Sequence, residues 1–95
     1  MAAYVIADLT ILDPQGFETY RQMVPATISQ YGGKYVVRGG SMETLEGEWQ
    51  PNRLVVIEFA SAERAKQWWS SEEYREAKAL RQRTAHTNLL IIEGA

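Results

Sequence analysis

The stretch GGKYVVRGGSMETLEGEWQPNRLVVIEF, residues 32–59, decides the fold. Two short apolar runs, 34–38 and 53–59, flank a Gly-containing segment that ends in a Gln-Pro-Asn turn signal, which predicts a β-hairpin. Arg38 and Glu58 lie inside these otherwise apolar runs. Because an unpaired buried charge is costly, each of them must meet a partner, a ligand or an interface.

The diglycine Gly39-Gly40, directly after the first of these strands, permits a β-bulge or a bend. The strand can continue beyond it over 41–46. A bulge shifts the alternation of side chains between the two faces by one residue. The sequence therefore leaves open which face of the sheet carries Arg38.

The chain before the hairpin predicts one strand and one helix. Residues 3–12 alternate and are rich in β-branched types, which indicates a strand with apolar residues on both faces. Asp13 and Pro14 are helix-start signals, and an apolar stripe at helical spacing follows until the glycines at 32–33 end the helix. Pro25 lies inside this pattern and is expected to kink the helix or to divide it in two.

The chain after the hairpin predicts a helical region and a last strand. Ser61 is expected to cap the first helix, and the capping box formed by Ser70 and Glu73 predicts that the helix restarts there. The apolar run 87–93 predicts the final strand. The order β-α-β-β-α-β is typical of a single α+β domain over 1–95, a ferredoxin-like four-stranded antiparallel sheet with two helices on one face.

Helices on one side leave the other face of such a sheet bare, yet the strands are apolar on both faces. An apolar patch of that size on a small protein marks an interface. We therefore expect a homodimer in which two sheets pack face to face. The residues assigned to the uncovered face are Tyr4, Ile6, Leu54, Val56, Leu89 and Ile91.

Composition limits the possible partners. The chain has 95 residues, no cysteine and a net charge of −2, with no basic run, so nucleic acid is not expected as a ligand. No apolar run approaches the roughly 20 residues that a membrane helix needs, so no membrane partner is expected either. The N-terminus lacks the charged region of a signal peptide, and cytoplasmic residence is the expectation.

Four motifs in combination resemble the DUF1330 family, a group of small bacterial proteins without an assigned function. They are YGGKYVVRGG, the following LEGEW-P-R, VVIEF, and A-x-x-W-x-x-S-x-E-Y-x-x-A-x-x-L-R, and the resemblance extends from Tyr4 to Gly94. The family is placed in the dimeric α+β barrel superfamily. The resemblance thus implies a face-to-face dimer with a cavity between sheet and helices in each protomer.

The superfamily hosts several chemistries, so the resemblance does not imply one reaction. It includes cofactor-independent monooxygenases, small-ring isomerases, haem-degrading enzymes and chlorite dismutase-like haem proteins. The haem-degrading relatives use an Asn, Trp and His set. This chain departs from that set, because Asp8 stands in the first strand and His86 lies well beyond Trp68. No cofactor is therefore expected.

The charged residues of the strands are the candidate catalytic groups. Arg38 and Glu58 are expected to be cross-strand partners, with Arg38 binding a carboxylate or an enolate and Glu58 orienting it or acting as a base. The alternative is a structural ion pair, in which Arg53 could compete with Arg38 for Glu58. Asp8, in the first strand, is either a general base that faces the cavity or the partner of a turn or an arginine.

Three further residues are candidates for substrate binding. Tyr20 and Trp68 lie on the predicted helices and can stack on a planar ligand or simply belong to the core. His86 is the only histidine, and proton transfer or metal ligation are its functional interpretations. A single histidine without cysteines or a second ligand at metal-binding spacing is a weak signal, so no metal site is expected.

Three hypotheses follow for the function. The first is a small enzyme that works without a cofactor, by proton transfer or oxygen insertion, on a small carboxylate-bearing or aromatic metabolite. The second is a non-catalytic small-molecule-binding or stress-related dimeric module that uses the same cavity. The third is a purely structural dimerisation domain, which has no need of buried charges.

Overall fold

The computed structural model describes all residues 1–95, with four strands and three helices. They are β1 (Ala3–Ile11), α1 (Pro14–Gln30), β2 (Lys34–Arg38), β3 (Arg53–Phe59), α2 (Ala62–Trp69), α3 (Glu72–Thr84) and β4 (Ala85–Glu93). The strands form one sheet in the order β2-β3-β1-β4, and every neighbouring pair is antiparallel. The predicted ferredoxin-like α+β fold is confirmed. No helix is both long enough and apolar enough to cross a membrane.

The core lies between the helices and one face of the sheet. Every second residue of β1, from Ala3 to Leu9, is buried on this face. Phe59 of β3 contacts Trp68 of α2 with ring centroids 5.5 Å apart, and Trp68 stacks on Tyr74 of α3 at 4.1 Å. These three aromatic side chains join the sheet to both short helices, and burial of such large apolar surfaces is the main stabilising contribution in a domain of this size.

The other face of the sheet has no helix on it, as the sequence predicts, and it is apolar. Leu90 and Ile92 of β4 are 55% and 52% exposed there. The assignment of Leu89 and Ile91 to this face is wrong, because Ile91 lies opposite the buried Val5 in the β1–β4 register. Leu89 and Ile91 therefore pack against the core, and the adjacent residues of β4 point away from it.

Helix α1 begins where its capping residues predict and continues unbroken past Pro25. The Asp13 carboxylate accepts a hydrogen bond from the Gly16 amide at 3.3 Å, and Pro14 occupies the first turn. The expected division at Pro25 does not occur. Buried residues on both sides of the proline, Val24 and Ile28 among them, hold the helix on the core.

The restart of the second helical region differs from the prediction by one residue. The Ser71 hydroxyl, rather than that of Ser70, accepts from the Tyr74 amide at 3.1 Å and caps α3. Ser70 is the C-terminal cap of α2, and its hydroxyl donates to the Lys66 carbonyl at 2.8 Å. Adjacent serines made the two registers indistinguishable in the sequence.

Strand β2 contains a β-bulge that comes earlier than the diglycine suggested. Tyr35 pairs with Ile57 and Val37 with Val56, so Val36 is the extra residue. Beyond the bulge, Arg38 lies opposite Val55, whose side chain belongs to the face covered by the helices. The expected continuation of the strand over 41–46 is wrong, because no strand or helix forms between 39 and 52.

The assignment of Ser71, rather than Ser70, as the N-terminal cap of α3 can be tested directly. Ser71→Ala should lower the free energy of unfolding by about 1 kcal/mol, because it leaves a helix N-terminal amide unpaired at a buried position. Ser70→Ala is the matched control and should change it by less than about 0.5 kcal/mol. Urea denaturation of both variants measures the difference, and an equal or reversed pair of losses would contradict the cap at Ser71.

Candidate functional site

A cavity of about 40 Å³ lies between the sheet and the helices. That volume holds about three water molecules, at roughly 10–15 Å³ for each one. It is lined by fifteen residues from β1, β2, β3, β4 and all three helices, of which twelve are hydrophobic. The remaining three are Arg21, Arg38 and Arg81. A small apolar space with a few charged groups of one sign is the general form of a site for a small ligand.

No aspartate, glutamate or histidine is among the lining residues. The only ion pairs of the molecule are Arg21 with Glu18 at 3.2 Å and Arg75 with Glu72 at 3.0 Å, both on exposed helix surface. Arg38 packs its guanidinium over the Tyr35 ring, 4.4 Å from the ring centroid. The protein therefore balances the charge of Arg21 alone, and Arg38 and Arg81 have no carboxylate partner.

Arg81 is the most deeply placed of these charges, with 5% of its surface exposed. It lies in the last turn of α3, where the helix dipole favours a cation. Its Nε donates to the Tyr74 hydroxyl at 3.2 Å, and its guanidinium makes no other hydrogen bond. Because a buried charge without a partner is strongly unfavourable, this guanidinium is suited to binding an anion in the cavity.

The Tyr74 hydroxyl connects Arg81 to Tyr20, whose hydroxyl lies 2.9 Å away. Tyr74 is fully buried, and the Tyr20 oxygen is the only acceptor within reach of its hydroxyl hydrogen. Tyr74 therefore accepts from Arg81 and donates to Tyr20, since the reverse orientation leaves a buried hydrogen unpaired. The Tyr20 hydroxyl hydrogen is then free to point into the cavity, and the charge at one end polarises the whole chain of bonds.

Tyr20 and Tyr35 act as neutral hydrogen-bond donors rather than as bases. Burial, followed by the proximity of the Tyr74 hydroxyl, raises the pKa of Tyr20 far above its usual range, and Arg81 offsets only part of this effect. Burial also raises the pKa of Tyr35, against the opposing influence of Arg38. Tyr20 and Tyr35 thus offer a hydroxyl hydrogen to a ligand, as the lining arginines offer their N–H groups.

Trp68 shapes the wall of the cavity without offering it a polar group. Its indole N–H donates to the Thr27 hydroxyl at 3.1 Å, and Thr27 in turn donates to the Val24 carbonyl at 2.7 Å. The ring is 1% exposed and stacked on Tyr74. Trp68 is a core residue that also lines the cavity, and its stacking on a planar ligand stays a prediction.

The structure brings three of the six candidate site residues together, since Arg38, Tyr20 and Trp68 all line the cavity. The expected cross-strand pairing of Arg38 with Glu58 is wrong. Glu58 lies opposite Lys34 and Tyr4 on the uncovered face, whereas the bulge turns Arg38 to the covered face. The two charges are therefore separated by the sheet and form neither a catalytic nor a structural pair.

Asp8 and His86 also lie on the uncovered face. The Asp8 carboxylate accepts a hydrogen bond from the Trp49 indole at 3.3 Å, and Asp8 shares this face because it alternates with the buried residues of β1. His86 is exposed opposite Thr10. Of the two interpretations of Asp8, the general base that faces the cavity is wrong. Any chemical role of Asp8, Glu58 or His86 stays a prediction for that other face.

Sequence reasoning missed Arg81, Tyr74 and Tyr35 as site residues. A signal for the first two was present, because Tyr74, Ala77 and Arg81 are spaced to share one helix face. An arginine in such a buried stripe is rare enough to indicate a ligand. The structure contains no group of three or more His, Cys, Asp or Glu side chains that could hold a metal ion.

Comparison with known proteins gives a family and a fold. The model of a family described as "Domain of unknown function (DUF1330)" matches residues 2–95. No curated protein matches. A protein of unknown function from Rhodopseudomonas palustris is similar in structure, with a TM-score of 0.79, 17% identity and coverage of 99% of this chain and 82% of that one.

Two further solved structures share the fold at lower identity. One is SnoaB from Streptomyces nogalater, described as a cofactor-independent oxygenase, with a TM-score of 0.63, 12% identity and coverage of 99% and 92% of the two chains. The other is a dimeric ferredoxin-like protein of unknown function from Jannaschia sp. CCS1, with a TM-score of 0.67, 7% identity and coverage of 99% and 100%. At these identities the likeness shows the fold alone.

The hydrogen-bond chain of the cavity can be tested by removing its central hydroxyl. Tyr74→Phe should lower the free energy of unfolding by about 1–3 kcal/mol, because it leaves the Arg81 guanidinium buried without a partner. Tyr31→Phe is the matched control. It removes one exposed hydrogen bond to Glu73, at 2.8 Å, and should cost less than about 1 kcal/mol. Chemical denaturation that shows equal losses would contradict the role of the Tyr74 hydroxyl as the partner of a buried Arg81 guanidinium.

Proposed function

The chain belongs to the DUF1330 family, whose function is unassigned, and we propose that its cavity binds a small organic anion. The observation that carries this proposal is Arg81, a guanidinium that is 5% exposed and has no carboxylate partner. Natural proteins rarely bury a charge that nothing compensates. A carboxylate that accepts hydrogen bonds from Arg81 and Tyr20 supplies the missing charge.

The activity that we propose for this site is cofactor-independent chemistry on a small carboxylate-bearing or aromatic metabolite. The first step is transfer of a substrate proton to a water molecule, because no side chain that lines the cavity is a base. The resulting enolate or phenolate is stabilised by the Tyr20 hydroxyl, which Tyr74 and Arg81 polarise. In an oxygenation, O₂ then converts an activated CH₂ group to C=O and one water molecule is released. The shared fold with an oxygenase that needs no cofactor supports this choice.

A non-catalytic binding module is the second candidate, and a specific feature of the cavity favours it. A side chain that removes a proton needs a basic group, and no carboxylate or imidazole lines the cavity. Under this alternative the same arginine and tyrosine side chains hold the anion without converting it. The two candidates differ only in whether a product forms.

We also propose that the protein is a homodimer that joins the uncovered faces of two sheets. Leu90 and Ile92 are apolar residues of β4, and each is more than half exposed on that face. Contact with a second copy removes this apolar surface from water. The description of the Jannaschia protein, which shares this fold, as dimeric supports a dimer.

The dimer is tested by an aspartate on the uncovered face. Leu90→Asp should convert the dimer to a monomer, because it places a charge in the apolar centre of the interface. Gln67→Asp introduces the same side chain on the exposed surface of α2 and should leave the dimer intact. Light scattering at micromolar concentration measures both, and a wild-type monomer would contradict the proposal.

Ligand binding is tested by a thermal-shift screen of small carboxylates, aliphatic and aromatic. A compound that binds only the folded state raises stability by about 2.7 kcal/mol at one hundred times its dissociation constant. Arg81→Met should abolish the shift, whereas Arg75→Met, which removes an exposed arginine of the same helix, should retain it. A hit that is unaffected by Arg81→Met would contradict the proposed site.

Mass spectrometry of the wild-type protein incubated with each hit under air distinguishes the enzyme from the binding module. The enzyme converts the hit to a product of changed mass, or exchanges a carbon-bound hydrogen when the incubation is carried out in deuterated water. An unchanged hit in both experiments would favour the binding module.

A further inference from the structure

Three arginines from three elements gather at the rim of the cavity. Arg21 of α1 and Arg38 of β2 line the cavity and are themselves exposed, which places them at its opening. Arg53, the first residue of β3, lies on the same face of the sheet, opposite the buried Leu9. Its guanidinium touches the position where a Cβ of Gly39, the residue after Arg38, would stand. Among the charges near these arginines, the only acidic partner is the exposed Glu18, which pairs with Arg21.

The protein holds this cluster together against mutual repulsion. Burial, followed by the charges of Arg21 and Arg38, lowers the pKa of Arg53. The Arg53 Nε is fully enclosed and has no hydrogen-bond partner. A carboxylate beside Arg53 would relieve both costs, yet the one acidic partner in the cluster, Glu18, pairs with Arg21 and not with Arg53.

Two local backbone features keep the arginines in place. The extra residue Val36 turns Arg38 to the cavity side, because without a bulge it would share the outer face with Lys34. Gly39 has a φ of 69° and leaves no room for a side chain beside the Arg53 guanidinium. Both features bring positive charge to the rim and neither adds to the apolar core.

We propose that the rim formed by Arg21, Arg38 and Arg53 is a second anion subsite, so that the ligand is a small organic dianion. This inference rests on the proposed function, in which the first acidic group meets Arg81 and Tyr20 inside the cavity. The second acidic group then lies between the rim guanidiniums, which bind carboxylates in two-pronged geometry. Short dicarboxylates are the simplest members of this class, and their length has to match the distance from the rim to Arg81.

The test compares dicarboxylates with their monoamides, which have the same number of non-hydrogen atoms and one charge fewer. Malonate, succinate, glutarate and adipate, each with its monoamide, are titrated calorimetrically into the wild-type protein at low salt. At least one diacid should bind about tenfold more tightly than its monoamide, because an additional charge-assisted hydrogen-bond pair contributes about that factor. The preference should shrink at high salt, since the rim is open to solvent.

Variants identify the rim as the source of the preference. Arg38→Met should remove the diacid preference, whereas the control Arg75→Met should retain the full preference and leave the monoamide affinity within about twofold. If both members of a pair bind wild type equally well, the dianion inference is wrong and the proposed function stands. If no acid or monoamide binds, the proposed function itself is wrong.

A second variant separates a ligand site from a structural cluster without any ligand. Arg53→Met keeps the apolar stem and removes the repelled charge, so its melting temperature without ligand should equal or exceed that of wild type. The same variant should bind the preferred diacid about tenfold more weakly. A lower melting temperature together with an unchanged diacid affinity would show that Arg53 is structural and would overturn the rim subsite.

Discussion

The Arg81 guanidinium lies buried at the end of α3 with one phenol oxygen as its partner. The arrangement around it depends on this contact. Tyr74 is oriented by Arg81, Tyr20 is oriented by Tyr74, and the stacked Trp68 joins the same tyrosine to the sheet. Since a charge in such a place is costly unless something neutralises it, the cavity has the electrostatic character of an incomplete ion pair. The anion that completes it is the ligand that we propose.

A single backbone irregularity at the rim of the cavity contributes to its positive charge. One extra residue in β2 decides whether Arg38 faces the helices or the uncovered side of the sheet. β-Bulges often occur next to binding sites, because a bulge moves the side chains beyond it to the opposite face while the strand stays paired. The sheet thereby separates two sets of polar groups, with arginines and tyrosines on the cavity side and Asp8, Glu58 and His86 on the other.

The architecture could be predicted from the sequence because the pattern of apolar residues recurs several times within each long element. The alternation of β1, the stripe of α1 and the apolar run of β4 each span many residues, so one ambiguous position does not change the prediction. The order of the elements then leaves few topologies. Tyr20 and Trp68 were correctly placed on helices that line the cavity for the same reason.

The predictions that were wrong, and the site residues that were missed, depend on the placement of single residues. Strand β2 has five residues, and the bulge within it has no signal except the distant diglycine, so the face of Arg38 could not be derived. Leu89 and Leu90 are identical in type, so the sequence does not show which of them faces the core. Only the pairing register of β4 with β1 decides this. Arg81 was overlooked because an arginine at a helix end is usually solvated, and only its packed surroundings show otherwise.

A crystal structure grown with the carboxylate that stabilises the protein most strongly tests the central claim most directly. The account predicts electron density for a carboxylate group inside the cavity, within hydrogen-bond distance of both the Arg81 guanidinium and the Tyr20 hydroxyl. An empty cavity in the presence of a stabilising ligand, or a ligand bound on the uncovered face beside Asp8 and His86, would contradict it.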